Sequence, residues 1–347
     1  MTLLFFRRLL AGSIVLAGAF ANPVLAADTV AIYSYRQPDL MQPVLDAFTA
    51  ETGIATELLF LDKGLEERIL AEGENSPADI ILSTDISKLI LAAEKGITQP
   101  VDSTALAAAI PAPLREPQGQ WFALTQRARV VYASNERVPE TALTYADLAD
   151  PKWKGRICMR SGQHDYNISL FSAMIAHWGA EKTEAWMQGL KSNLARKPDG
   201  NDRSQAKGIF SGECDIALGN TYYIGLMANN DKEPEQKDWA KAMHVIFPAF
   251  EDGATHVNVS GMALAKHAPH KDAAIKLMEF LAGDTAQKVY AAQVYEYPVK
   301  AGVSASEFVA GLGTLKADGL ALTELAANRK AASEMVDRTG LDDGPGN

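Results

Sequence analysis

The chain has 347 residues, 47% hydrophobic, 8% aromatic and 22% charged, which is ordinary globular composition with room for two packed domains. It is too apolar for disorder and carries no collagen-like or coiled-coil bias. A formal net charge of −10 argues against nucleic acid or anionic lipid as the main partner.

Residues 1–26 read as a secretory signal peptide. Arg7 and Arg8 form a basic start, Leu9 to Phe20 is an apolar run, and Val24-Leu25-Ala26 supplies small residues before a cleavage. The run is shorter than the ~20 residues that a spanning helix needs. No Cys sits at the cleavage point, so no lipid anchor is expected, and the mature chain should begin at Ala27. The expected location is the periplasm.

Beyond that point, strand-like runs alternate with amphipathic helices. Thr29–Tyr33, Ile54–Leu61 and Ala78–Leu82 read as strands. Leu40, Val44, Leu45 and Phe48 fall at helical spacing before Gly53; Gly64–Glu72 and Asp85–Lys95 are further helices, the latter closed by Gly96. This order implies an α/β fold with a largely parallel sheet flanked by helices, whose ligands bind beyond the C-terminal strand ends. Trp121–Ala133 is a long β-like run holding Arg127 and Arg129, and such a run can cross between two lobes. A second α/β set begins at Arg156–Met159. Ile168–Trp178, Lys182–Leu190 and Ser204–Phe210 read as helices, and Glu213–Leu218 as a strand running into Gly219-Asn220-Thr221-Tyr222-Tyr223. After Val245–Phe250, Val257–Ala265 is another strand, followed by helices Lys271–Ala282 and Thr285–Ala292. The expected division is lobe one at 27–128, lobe two at 129–250, and a return to lobe one with C-terminal helices at 251–347.

Cys158 and Cys214 are the two cysteines. In an exported chain an even pair reads as a disulfide, with two buried free thiols as the other reading, and two are too few for a thiolate metal cage. There is no P-loop, dinucleotide glycine fingerprint, HExxH or nucleophile elbow, and the six histidines are scattered. No enzyme is expected.

The tyrosines carry the most information. Tyr222 and Tyr223 are adjacent at the end of a buried-looking strand, and Tyr166 lies in Ser161–Asn167, a loop containing Gly and Asp just after another strand of the same lobe. Phenols with pKa ~10 are poor ligands until a hard, highly charged cation stabilises the oxyanion. Three phenolates match Fe(III) in charge. Taken alone, the Tyr-Tyr pair reads first as aromatic packing at a helix start.

Across essentially the whole mature chain the sequence resembles the periplasmic ferric-iron-binding proteins of ABC transporters, which have the class II solute-binding fold. The segments that carry the likeness are Ile32-Tyr33-Ser34-Tyr35-Arg36, Ala78-Asp79-Ile80-Ile81-Leu82, Arg127-Ala128-Arg129-Val130, Lys154-Gly155-Arg156-Ile157-Cys158, Gly212–Ala217, Gly219–Tyr223 and Tyr295–Val299. The resemblance implies two lobes around a ligand cleft, Fe(3+) held by Tyr166, Tyr222 and Tyr223, and a Cys158–Cys214 disulfide. It also implies delivery of ferric iron, free or chelated, to an ABC-transporter permease by a monomer that binds no nucleic acid. Many relatives have Arg-His-Tyr where this chain has Arg36-Gln37-Pro38, and neither Gln37 nor Pro38 is an anionic ligand. The likeness is closer to members with Arg-Glu-Pro there, in which carbonate, another small anion or water completes the iron shell. Arg36 would then hold the anion through its fork of donors, with Arg129 and Ser161 as further candidate contacts and Gly162 and Gln163 beside them. Tyr35 and Tyr297 are read as core packing near the cleft. The alternative is a class II solute-binding protein for a small organic anion, polyamine or phosphonate, in which the arginines outweigh the tyrosines.

Overall fold

The computed structural model describes residues 29–345, so the expected signal peptide 1–26 and the start at Ala27 lie outside the described residues. Strand β1 (Thr29–Ser34) sits between two parallel neighbours, β2 (Ala55–Phe60) and β3 (Ile80–Ser83). Helix α1 (Pro38–Thr52) starts on a proline, whose fixed φ suits the first turn, and buries Met41, Val44, Leu45 and Phe48 along one stripe. It stops at Gly53, which takes the left-handed φ of 72° that a side chain would resist. Helix α2 (Leu65–Glu72) follows, then α3 (Ile86–Glu94), whose first turn is capped by the Asp85 carboxylate accepting from the Ser87 amide at 2.8 Å. The short β4 (Thr98–Gln99) and α4 (Thr104–Ala109) complete this part of lobe one.

Strand β5 (Phe122–Ser134) is the crossing. Lobe two follows as β6 (Ile157–Cys158), α5 (Asp165–Trp178), α6 (Ala180–Asn193), α7 (Asp202–Phe210), β7 (Ile216–Asn220), α8 (Thr221–Ala228), α9 (Glu235–Lys241) and β8 (Met243–Ile246). The chain returns through β9 (Val257–Ala265) to α10 (Lys271–Ala282), α11 (Asp284–Val289) and β10 (Tyr297–Pro298), and ends with α12 (Glu307–Gly311) and α13 (Leu322–Thr339).

The main strand order is β2-β1-β3-β9-β5-β7-β6. Phe122–Ala128 of β5 pair with β9, and Arg129–Ala133 pair with β7, so one unbroken strand serves both lobes. The outer pairs are parallel, as expected, but β9 lies antiparallel to both β3 and β5, and β7 antiparallel to β5. A chain that leaves along β5 and re-enters beside it must run the opposite way, which makes the sheet mixed at its centre.

The C-terminal region departs from the expected division. β9, α10 and α11 pack in lobe one, but α12 rests on α8, and α13 lies along α5 and α6 of lobe two while also touching α3 of lobe one. The stripe Leu322, Leu325, Ala332, Met335 and Val336 is buried by that docking. Its spacing was readable in the sequence, whose expected helices stop at Ala292.

Cys158 at the end of β6 is bonded to Cys214 just before β7, with Cα atoms 5.8 Å apart and a sequence separation of 56. Closing a loop of that length removes freedom from the unfolded chain worth about 4 kcal/mol on the chain-entropy account. Replacing both cysteines by alanine should lower stability by about 2–5 kcal/mol in urea unfolding; an unchanged midpoint would show that the bridge leaves the unfolded ensemble unconstrained.

Candidate metal centre

Tyr222 and Tyr223 occupy the first turn of α8, directly past the C-terminal end of β7. That end of an α/β strand faces the ligand crevice. The turn is fixed from behind. Tyr132 of β5 donates its hydroxyl to the Asn220 carbonyl at 2.5 Å, and a Cβ on Gly219 would fall 2.0 Å from the Tyr132 ring. Only glycine leaves room for that ring. Tyr166 lies in the first turn of α5, where the His164 Nδ1 caps the helix by accepting from the Tyr166 amide at 3.2 Å.

These two helix starts bring the three phenols together. The hydroxyls of Tyr166 and Tyr222 are 3.1 Å apart, and the rings of Tyr222 and Tyr223 stack at 4.3 Å. All three line an interlobe cleft of ≈ 200 Å³, together with Arg36, Gln37 and Phe60 from lobe one and Arg160 and Arg203 from lobe two. Among the described residues no group of three His, Cys, Asp or Glu side chains converges to hold a metal. The cleft lining also holds the carboxylates of Asp62, Asp165 and Glu296, but only the phenol oxygens come together as a group of three hard donors.

The electrostatics oppose ionisation of the paired phenols. Burial, then the neighbouring phenols of Tyr166 and Tyr223, push the Tyr222 hydroxyl well above the usual phenol range. Tyr223 is raised as well, chiefly by burial and then by Tyr166 and the Asp202 carboxylate, with the Tyr222 hydroxyl acting the other way. Both are neutral at pH 7 until a cation compensates the oxyanion. Burial, and then the adjacent Arg160 charge, lower His164 to about 3, so it caps as a neutral imidazole.

Guanidinium groups surround the phenols. Arg127 and Arg160 lie 5.4 and 5.1 Å from the Tyr166 ring centre, and Arg203 lies 4.9 Å from that of Tyr223. Arg36 is buried, with Nη1 donating to Ser260 Oγ at 2.7 Å and pairing with Glu296 at 3.0 Å. Its Nε and Nη2 have no partner, and neither do Nη1 of Arg127, Nε of Arg160 or Nε of Arg203. Buried donors without acceptors among the described residues are costly, and they leave the cleft wall strongly cationic.

The structure does not bring every expected anion contact to this place. Arg129 is buried behind the site, with Nη1 on Asp202 at 2.8 Å and Asn220 at 3.1 Å, and Nη2 on Asn167 at 2.7 Å. Its donors are spent on holding β5, α5 and α7 together. Ser161 donates to Asp342 at 2.6 Å and does not line the cleft. Tyr35 does line it, but its hydroxyl donates to Glu66 and accepts from the Leu65 amide at 3.1 Å. Tyr297 is not among the lining residues. Conversely, sequence reasoning assigned no site role to Arg127, Arg160, Arg203, His164 or Glu296. Arg160 and His164 share the connection between β6 and α5, while Arg127, Arg203 and Glu296 come from distant parts of the chain, so the set forms no single spaced motif.

Asp202 holds this framework. Its carboxylate, wholly buried, accepts from Arg129, from Arg160 at 3.2 Å and from the Asn220 amide at 2.8 Å. Burial acts to raise its pKa, but the guanidiniums and the amide outweigh burial and lower it. Its contribution is thus present above the unfolded carboxyl pKa and is lost as pH falls through the lower folded value. Asp202→Ala should cost about 3–5 kcal/mol in urea unfolding at pH 7, because it strands two buried guanidiniums. A loss below about 1 kcal/mol, the value of an exposed pair, would contradict this account.

Residues 75–310 match the family model described as bacterial extracellular solute-binding protein. The chain is 43% identical over 312 residues to iron uptake protein A1 of Synechocystis, covering 89% of this chain and 86% of that one. Its structure superposes with a TM-score of 0.88 on the apo ferric ion-binding protein A of Pasteurella haemolytica, at 48% identity over 91% of this chain and 99% of the other. A Trichodesmium protein solved with iron and citrate gives a TM-score of 0.83 at 39% identity, over 90% and 99% of the two chains. By sequence over most of its length, and by a fold that is the two-lobed class II architecture, the chain belongs to the bacterial extracellular solute-binding proteins.

Proposed function

We propose that this protein binds ferric iron outside the cytoplasm through the phenolates of Tyr166, Tyr222 and Tyr223, and passes it to an ABC-transporter permease for uptake. The observation that carries this reading is the convergence of three phenols, two hydroxyls 3.1 Å apart and two rings stacked, in a cleft between the lobes. Such an arrangement is costly to ionise and gains most from a trivalent hard cation. The printed names of the relatives, an iron uptake protein and a ferric ion-binding protein, support it. The signal peptide at 1–26 supplies the route to the periplasm. The protein acts as a monomeric carrier and not as an enzyme.

The steps follow from the residues. Ferric iron meets lobe two, where all three phenols reside, and displaces their protons. Arg36, which lines the cleft beside the phenols, would hold carbonate or another small anion, which would supply the remaining coordination. Rotation about the two crossings, Arg127–Tyr132 and 247–258, brings the lobe-one wall over the metal and excludes water. With three protons released, conditional affinity falls by up to about a thousandfold per pH unit toward acid.

Ferric citrate added to the mature protein should give a visible tyrosinate-to-iron charge-transfer band, and Tyr222→Phe should remove most of it. Acidification should bleach the band as protons reclaim the oxygens. An identical band in Tyr222→Phe would remove the assignment. The unpartnered arginine donors keep one rival in view, a carrier for an organic anion alone; a melting temperature raised by such an anion in iron-free buffer, and unmoved by iron, would favour it.

A further inference from the structure

We infer that the C-terminal segment, through Asp342, is a positioning device for Tyr166, one of the three proposed ligands; the inference rests on the ferric-iron reading above. Tyr166 is reached through the loop 161–165, and nearly every residue of that loop is tied to α13 or to the turn after it. One Asp342 oxygen accepts from Ser161 Oγ at 2.6 Å and from the Gln163 amide at 3.4 Å, and the other accepts from the Gly162 amide at 2.6 Å. The Gln163 side chain donates to the Ser333 carbonyl at 2.9 Å and to Asp337 at 2.8 Å, and accepts from Ser333 Oγ at 2.7 Å. Arg329 pairs with Asp165, the residue next to the tyrosine.

The fit is close. A Cβ on Gly162 would lie 2.9 Å from Leu341 and 3.0 Å from Val336, so the loop seats on the tail only because that position lacks a side chain. A hydroxyl and two amides aimed at one point make an anion nest. Here the anion is internal: Asp342 occupies the donors that the sequence had suggested for a bound anion.

Tyr222 and Tyr223 are set by other contacts, namely β7, Tyr132 and the packing of Gly225 against Tyr295. The tail therefore acts on one ligand of the three. Loosening it should let the α5 start shift, carrying the Tyr166 oxygen away from that of Tyr222 while leaving the paired tyrosines in place. Partners that orient metal ligands in this way typically change affinity by about 10- to 100-fold.

A double-mutant cycle on the full mature protein separates positioning from general support. Asp342→Ala, Tyr166→Phe and the pair are compared by iron affinity in competition with citrate, and by the charge-transfer band. Asp342→Ala should weaken iron binding about tenfold or more and shift the band toward that of Tyr166→Phe. In the Tyr166→Phe background the same change should cost less than about twofold, because the oxygen it positions is already gone. An equal loss in both backgrounds, or an unaltered band and affinity in Asp342→Ala, would overturn the proposal. If Asp342→Ala fails to fold, Ser161→Ala, which removes the hydroxyl that donates to Asp342 and accepts from the Gln163 amide at 3.1 Å, enters the same cycle under the same criteria. A wild-type band that survives intact in all three Tyr→Phe variants would instead overturn the iron reading, so the two failures are distinct.

Discussion

Crowding three phenol hydroxyls into a cleft with little water is the constraint around which the rest of this molecule is arranged. Burial makes the Tyr222 and Tyr223 hydroxyls resist losing their protons. Only a ligand that brings several positive charges to the same point can reverse that balance. A monovalent or soft divalent ion would leave uncompensated oxyanions in a poorly solvated place. The arginines temper the cost without removing it. Arg36 and Arg160 are already paired with Glu296 and Asp202, whereas Arg127 and Arg203 stand over phenol rings without an ion-pair partner. The cleft therefore carries surplus positive charge, which suits an anion arriving together with the metal.

The architecture serves that site by dividing the labour between lobes. All three phenols belong to lobe two, so the cation can be captured before the lobes close. Lobe one contributes Arg36, Gln37 and Phe60 as a wall. The lobes share the continuous strand β5, whose lobe-one half is paired with β9, and such a crossing limits motion to a few backbone torsions. Contacts between the lobes beside the cleft are modest. Lys88 of α3 meets Asp165 at 3.3 Å, and Arg329 of α13 approaches the buried Asp85 at 3.8 Å. The Lys88–Asp165 pair is partly exposed and contributes little, so it biases an opening equilibrium without locking it.

The last helix adds a second layer. It covers α5 on one face and meets α3 on the other, touching both lobes while belonging to one. Beside its packing on α5, it and the turn after it tie down the 161–165 segment that leads into Tyr166. The Ser161 hydroxyl and the Gly162 amide, attractive as anion donors from sequence, are committed to Asp342.

Periodicity along the chain determined a good deal. The alternation of β1, α1, β2, α2, β3 and α3, the crossing at β5 and the stop at Gly53 all rest on local apolar spacing and turn chemistry. Those forces act between residues near in sequence and leave a visible pattern. Tyr222 and Tyr223 were legible because they are neighbours at a strand end, and Tyr166 because a family likeness singled it out. What the folded chain alone decided was everything assembled from distant pieces: that Arg129 spends its donors on Asp202 and Asn167 behind the site, and that Arg127, Arg160 and Arg203 come from three different elements to face the phenols. The antiparallel centre of the sheet and the docking of α13 on lobe two belong to the same class. Side-chain partnership across tens or hundreds of residues follows from how elements pack, and packing leaves no period in the sequence from which it could be read.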